Sequence, residues 1–358
     1  MAMQIINKLF NKYFSDPDAV ILSLVLLAGL IVILFLGKML TPFFAALIVA
    51  YLLEGLVARL EKCKLPHWLS VVIVYLLFLG IVVFSLFLLL PLLWQQTAAL
   101  VTELPGIVNK SQAMVLALPE KYPDVFTTSQ VAQALAQVKT EVGHFGQRVL
   151  SISVGFIPSV IQIIVYLVLV PLMVYFLLMD RDALVNSFTR ILPENRSLLS
   201  RIWGEVNEQF GNFVRGKVVE IVIVAIFAYA GFAILKLNYA MLLAVLCGFS
   251  VLIPFIGVTI VTIPVVIVAY MQYGWSAHFM YISIFYAIIM VLDGNVLVPL
   301  LFSEAVNLHP IMILLAVLFF GGIWGFWGVF FAIPLATVVK AIYNAWPKVE
   351  HVEHEAQS

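Results

Sequence analysis

Eight apolar stretches decide what this chain can become. Val20–Leu36, Pro42–Leu56, Trp68–Trp94, Val154–Met179, Val218–Leu235, Tyr239–Met271, Ala277–Leu301 and Ile311–Ala345 approach or exceed the length of a membrane span. A helix needs about 20 apolar residues to cross a hydrocarbon core. In that medium each segment must satisfy its own backbone hydrogen bonds, so helix is expected throughout. Composition agrees: 11% of residues are charged, against about 25% in soluble domains, and 64% are hydrophobic. The expected fold class is an all-α integral membrane protein, a polytopic helical bundle.

Several functional classes are excluded or disfavoured. Lys+Arg and Asp+Glu both number 19, so no basic surplus points to nucleic acid. The chain has no H-E-x-x-H, G-x-S-x-G, P-loop or C-x-x-C motif, which argues against an enzyme and against any cofactor. Cys63 falls in a basic loop and Cys247 in an apolar stretch, a poor pairing for a disulfide. His351 and His354 sit among glutamates near the end of the sequence with no second ligand cluster, and no metal site is expected.

Orientation follows from the cations. Lys8 and Lys12 precede the first span, which reads as an uncleaved span rather than a signal peptide. Arg59, Lys62 and Lys64 follow the second span. Arg181, Arg190, Arg196, Arg201, Arg215 and Lys217 follow the fourth. These three segments alternate correctly to share the cytoplasmic side, with both termini inside. The expected organisation is spans one to three in 1–94 and an extracytoplasmic helical segment in 95–150. Span four follows in 151–179, cytoplasmic amphipathic helices in 180–217, a transmembrane core in 218–346 and a cytoplasmic tail in 347–358. In the outer segment, Ser129 is positioned to cap a helix with Val131, Leu135, Val138 and Val142 on one face. In the inner one, Leu198, Ile202, Val206 and Phe210 form a comparable stripe after Pro193.

Two apolar stretches are interrupted midway. The first breaks around Ser250, Pro254, Gly257 and Pro264; the second at Gly321, Gly322, Gly325 and Gly328, with Pro334 beyond. Each follows a full span, so a span-plus-broken-hairpin unit occurs twice, Gly216–Tyr270 and Tyr281–Ala345. If the first hairpin returns to its starting side, the two units are inverted repeats, an arrangement that places transporter sites at the breaks. The glycine-rich second break is equally readable as close helix packing through small residues.

Candidate site residues concentrate in LDGNVLVPLLFSEAVNLHP, residues 292–310. A charge at bilayer depth costs about 3 kcal/mol on insertion scales and calls for a partner or a polar cavity. Asp293, Asn295, Glu304 and Asn307 are therefore the expected polar handles for a solute or ion, joined by Ser250 and Pro254 at the first break. The bland readings are a helix-end partner for Asp293, a solvated position for Glu304, an interface residue at Glu54, an interhelical hydrogen bond from Gln162, and interfacial anchoring for Arg215, Lys217 and Glu220.

The stretches FGNFVRGKVVE, NYAMLLAVLCGFSVLIPFIG, DGNVLVPLLFSEAVNLHP and GFWGVFFAIPLATVVK resemble the autoinducer-2 exporter family, in particular its PerM-like permeases. The resemblance covers most of the C-terminal half by motif and the N-terminal third by layout. It implies a multi-pass bacterial inner-membrane transporter, homo-oligomeric, with an acidic residue at 293. Members are assigned autoinducer-2 export or exchange of sodium or lithium for protons. The expected function is an ion-coupled secondary transporter of a small polar solute such as autoinducer-2. Its expected partners are membrane lipids and a small polar solute or cation. The alternatives are a sodium (lithium)/proton antiporter, a non-transporting scaffold working through Gln95–Leu150, and a passive channel.

Overall fold

The computed structural model describes residues 27, 29, 31, 35–37, 39–116, 127–151, 156–191, 197–302 and 308–345. Among them every regular element is helical. The helices are α1 (Thr41–Lys62), α2 (His67–Phe84), α3 (Leu90–Leu116), α4 (Thr128–Ser151), α5 (Phe156–Met179), α6 (Arg181–Ile191) and α7 (Ser197–Ile234). They continue with α8 (Ala240–Ser250), α9 (Ile256–Tyr273), α10 (Ala277–Leu292), α11 (Val298–Phe302), α12 (Pro310–Trp324), α13 (Phe326–Phe330) and α14 (Ala332–Ala345). Among the described residues, five stretches are long and apolar enough to cross a bilayer: α1, His67–Glu103, Val206–Ile234, α9 and Ala277–Phe302. A sixth is the pair Ile163–Met179 and Arg181–Ser187, bent by 81°. The chain is thus a polytopic helical membrane protein. Most of the stretch Val20–Leu36 lies outside the described residues.

Two π-helical turns are set by proline. Ser85–Leu89 joins α2 to α3, and Asp293–Leu297 joins α10 to α11. Pro91 and Pro299 each follow two residues after such a turn. Proline has no N–H to give the carbonyl four residues back and its ring crowds that carbonyl. Those carbonyls belong to Phe87 and Asn295, the central residues of the two turns. Widening the helix by one residue removes the conflict without ending the helix, and the Leu90 N–H then reaches back five residues to the Ser85 carbonyl. His67 to Leu116 is consequently one uninterrupted helical course, about 75 Å long at 1.5 Å per residue.

The helices group into two compact units. One comprises residues 1–71, 172–219 and 296–358; the other comprises 72–171 and 220–295. The chain passes between them inside α2, α5 and α7 and inside the turn Asp293–Leu297.

In the second unit, α3 packs along α4, which returns beside it. Residue 127 precedes α4, and its N–H donates to Gln130 Oε1 (3.3 Å), the reciprocal half of a capping box. Thr127 therefore occupies the cap position expected of Ser129, whose hydroxyl meets that of Thr127 instead. Val131 is buried, as the apolar stripe predicts.

The first broken hairpin is α8 and α9, packed against each other. At 11 residues α8 is about 16 Å long, half a hydrocarbon core. Its two ends are clasped by one side chain. Gln272 accepts from the Asn238 N–H (2.8 Å) and donates to the Lys236 carbonyl (2.7 Å), while the Tyr273 hydroxyl donates to the Leu235 and Lys236 carbonyls. The hairpin enters and leaves at one level. At its tip the helices nearly touch: a Cβ on Gly257 would fall 1.8 Å from the Ser250 carbonyl oxygen. Neighbouring helices approach as closely. A Cβ on Gly248 would meet the Ile221 carbonyl at 2.8 Å, and one on Gly231 would overlap the Phe285 ring at 1.8 Å.

In the first unit, α12, α13 and α14 form the second broken hairpin. The turn pivots on Gly325 (φ +61), and a Cβ on Gly328 would lie 1.8 Å from the Phe320 carbonyl. Both hairpins thus use a glycine of the returning helix against a carbonyl of the outgoing one. The second break is filled by aromatics: Phe331 stacks on Phe210, Trp324 and Trp327, and Phe330 meets Phe213 edge-on. Within Gly321–Gly328, close packing occurs at Gly321, against Val329, and at Gly328, against Phe320.

Elsewhere in this unit Tyr51 donates to Asn207 Oδ1, and Glu54 pairs with Arg181 at 2.8 Å, the interface role expected for Glu54. The amphipathic stretch after residue 197 and the fifth span form a single helix, α7, because no breaker separates Asn207 from Ile234.

Gly257→Val or Gly328→Val is expected to lower the melting temperature of the detergent-solubilised protein or abolish the folded peak, at a cost of about 1–3 kcal/mol or more. Gly80→Ala, which meets open space in a helix interior, should be neutral or stabilising by up to about 1 kcal/mol. Thermal denaturation followed by size-exclusion chromatography separates these outcomes.

Candidate functional site

Helix α10 buries one stripe: Phe279, Ile282, Tyr286, Ile289 and Asp293, at alternating spacings of three and four. That period faces the core of the bundle, and its last member is a carboxylate only 7% exposed. Asp293 is carried into the π turn, with its N–H shared between the Ile289 and Met290 carbonyls. The turn keeps the side chain on the buried face while the chain negotiates Pro299.

The register of α9 against α10 fixes what lies beside that end. Thr262 on α9 shares a hydrogen bond with the Tyr286 hydroxyl (2.9 Å), and Thr262 also donates to the Val258 carbonyl (2.7 Å). Seven residues beyond Tyr286 on an antiparallel neighbour correspond to about 10 Å of rise. This puts Asp293 level with Phe255, in the tip that contains Pro254. Ser250, 6% exposed, donates to the Cys247 carbonyl at 2.6 Å. Phe255 itself holds φ +63, a strained value for a bulky residue. By this register Asp293 lies at about the height of the hairpin tip to which Ser250 and Pro254 belong.

Asn295 is placed otherwise. It is exposed, and its amide donates to the Val291 carbonyl (2.8 Å), bracing the π turn from outside. Glu304 and Asn307 lie outside the described residues, as do His351 and His354 and the side chain of Gln162.

The structure also adds residues that the sequence reading assigned to interfacial anchoring. On α7, Lys217 is 5% and Glu220 1% exposed; they continue a buried stripe with Phe213, Val224, Ala228 and Phe232. Covered by protein, they do not anchor the helix at a headgroup surface as expected. Arg215 remains exposed, lies across Gly55 and Gly211, and donates to Asn212 (2.9 Å). Lys217 Nζ lies 5.2 Å from the centre of the Phe302 ring, which in turn sits on Gly216, where a Cβ would be 2.6 Å away. Gly248 packs over the Ile221 carbonyl, so the hairpin tip and Glu220 are neighbours in height within the second unit. None of Lys217, Glu220 and Asp293 lacks an interaction. The signal that could have found them was the spacing in FVRGKVVE: positions 217 and 220 fall in phase with Phe213 and Val224.

Chemically, the second unit thus holds two carboxylates on otherwise apolar faces beside an irregular tip with a buried hydroxyl. Such groups can carry a proton or coordinate a cation. Desolvation makes an uncompensated charge expensive at such positions. Among the described residues no group of three or more metal-ligating side chains occurs.

The family model described as "AI-2E family transporter" matches residues 22–348. The chain is 45% identical over 345 residues to "Putative permease PerM" of Escherichia coli strain K12, covering 96% of this chain and 98% of that protein. It is 26% identical over 319 residues to "Putative transport protein YueF" of Bacillus subtilis strain 168, covering 87% and 85% respectively. With a match over nearly its whole length, the chain belongs to the AI-2E transporter family.

Proposed function

We propose that this protein is an ion-coupled secondary transporter of a small polar solute, of which autoinducer-2 is the candidate suggested by the family name. The observation that carries the reading is the placement of Asp293 on the buried stripe of α10, level with the tip of the α8–α9 hairpin. A carboxylate at that depth changes the local energy by several kcal/mol between its charged and neutral states. Binding of a proton or cation there shifts which arrangement of the hairpin is preferred, and coupling requires that differential affinity. Glu220 supplies a second acidic position and Ser250 a hydroxyl near the same level. Asn295 serves the reading as a brace of the turn that carries Asp293.

The same carboxylates support the second reading, sodium or lithium exchange for protons, in which the cation is itself the substrate. The proposal places the protein in the bacterial inner membrane, with both termini inside and copies assembled as a homo-oligomer. The cation distribution over Arg59, Lys62, Lys64 and Arg181 supports that orientation.

Two measurements test this. In proteoliposomes, an imposed pH or sodium gradient should drive saturable flux of autoinducer-2 or of the cation. Asp293→Asn should lower that flux at least about tenfold while leaving the protein folded. Gradient-insensitive flux in the wild type would indicate a passive channel, and no flux of any candidate would end the transport reading. In intact cells, exposed Cys63 should resist a membrane-impermeant maleimide and react once the inner face is opened, with buried Cys247 silent in both cases. Labelling of Cys63 from outside would invert the orientation.

A further inference from the structure

At the clasped end of the first hairpin, away from its tip, the second unit contains a half-open cavity of about 580 Å³. That is the size of a small-molecule site. Among the described residues, Glu103 is the one charged residue that lines it, and Tyr239 and Tyr270 line it as well. Tyr239 and Glu103 are electrostatic neighbours on this wall.

The walls are held rather than left to flex. Tyr239 has φ +58 and Lys236 φ +54, left-handed values that side chains of this size rarely adopt. Three bonds impose this path: Gln272 grips the Asn238 N–H and the Lys236 carbonyl, and Gln96 Oε1 accepts from the Leu242 N–H at 2.9 Å. Strain of about 1–3 kcal/mol per such residue persists only where the surroundings over-determine it, and it clusters at ligand clamps. Tyr270 is fixed in its turn by edge contacts to Trp275 (5.7 Å) and Phe279 (6.0 Å).

A single carboxylate does not suit a compact metal ion, which requires six or more oxygen ligands or several retained waters. A carboxylate beside two aromatic rings does suit a diffuse cation, whose charge is spread over an apolar surface. We propose that this cavity binds an organic ammonium ion, with Glu103 as counter-ion and Tyr239 and Tyr270 contacting its alkyl shell. The site lies at the opposite end of the hairpin from Asp293 and does not depend on the transport reading.

Choline and its neutral carbon isostere, 3,3-dimethylbutan-1-ol, test it on the purified full-length protein by isothermal titration. Wild type should bind choline saturably and the isostere at least about tenfold more weakly, a difference of about 1.4 kcal/mol. Glu103→Gln should weaken choline binding by a similar factor. Equal affinity for the two ligands, no saturable choline binding up to roughly 10 mM, or undiminished binding by a folded Glu103→Gln variant would each overturn the proposal. The choline–isostere comparison needs no variant, so misfolding of Glu103→Gln would not shield it.

Discussion

A peptide group in hydrocarbon has no water to fall back on, and the rest of the fold follows from that constraint. Among the described residues, several side chains beside breaks and turns return a donor to the backbone. The Val291 carbonyl receives the Asn295 amide, Val258 and Phe255 receive the hydroxyls of Thr262 and Thr259, and Pro334 receives that of Thr337. The loop at Leu235–Asn238 is met by Gln272 and Tyr273. Irregularity is thereby confined to a few positions, and those positions carry the polar side chains of interest.

Glycine provides the complementary device. At Gly257 and Gly328 the returning helix of each hairpin lies against a carbonyl of the outgoing one, closer than any side chain permits. The two hairpins differ in what surrounds that contact. The first has Ser250, Thr259 and Thr262 nearby; the second is packed with Trp324, Trp327, Phe330 and Phe331. One geometry thus serves a polar tip in one unit and an aromatic plug in the other.

Much of this was legible beforehand because hydropathy, glycine and proline act locally. The apolar runs, both breaks and the burial of Asp293 could be read from spacing and from the cost of a charge at depth. What escaped reading depended on tertiary burial. Lys217 and Glu220 sit where an interface anchor would also sit, and only the covering by neighbours distinguishes the two roles. Ser129 and Thr127 are both capable caps, and the choice fell to the register of Gln130. The Glu103 cavity was invisible because α3 is distant in sequence from the loop that holds Tyr239, and nothing local joins them.

The uninterrupted course from His67 to Leu116 has a mechanical consequence. Pro91 would ordinarily end or kink such a helix, and with the π turn before it the helical course continues instead. About 30 Å suffices to cross a hydrocarbon core, so this course of roughly 75 Å exceeds what a crossing requires by some 45 Å, and α4 packs along its α3 part. A rod pivoting in the membrane is a lever: a tilt of about 10° displaces its far end by about 8 Å over that length. Small reorientations of α2 would therefore be magnified at the distal end of α3.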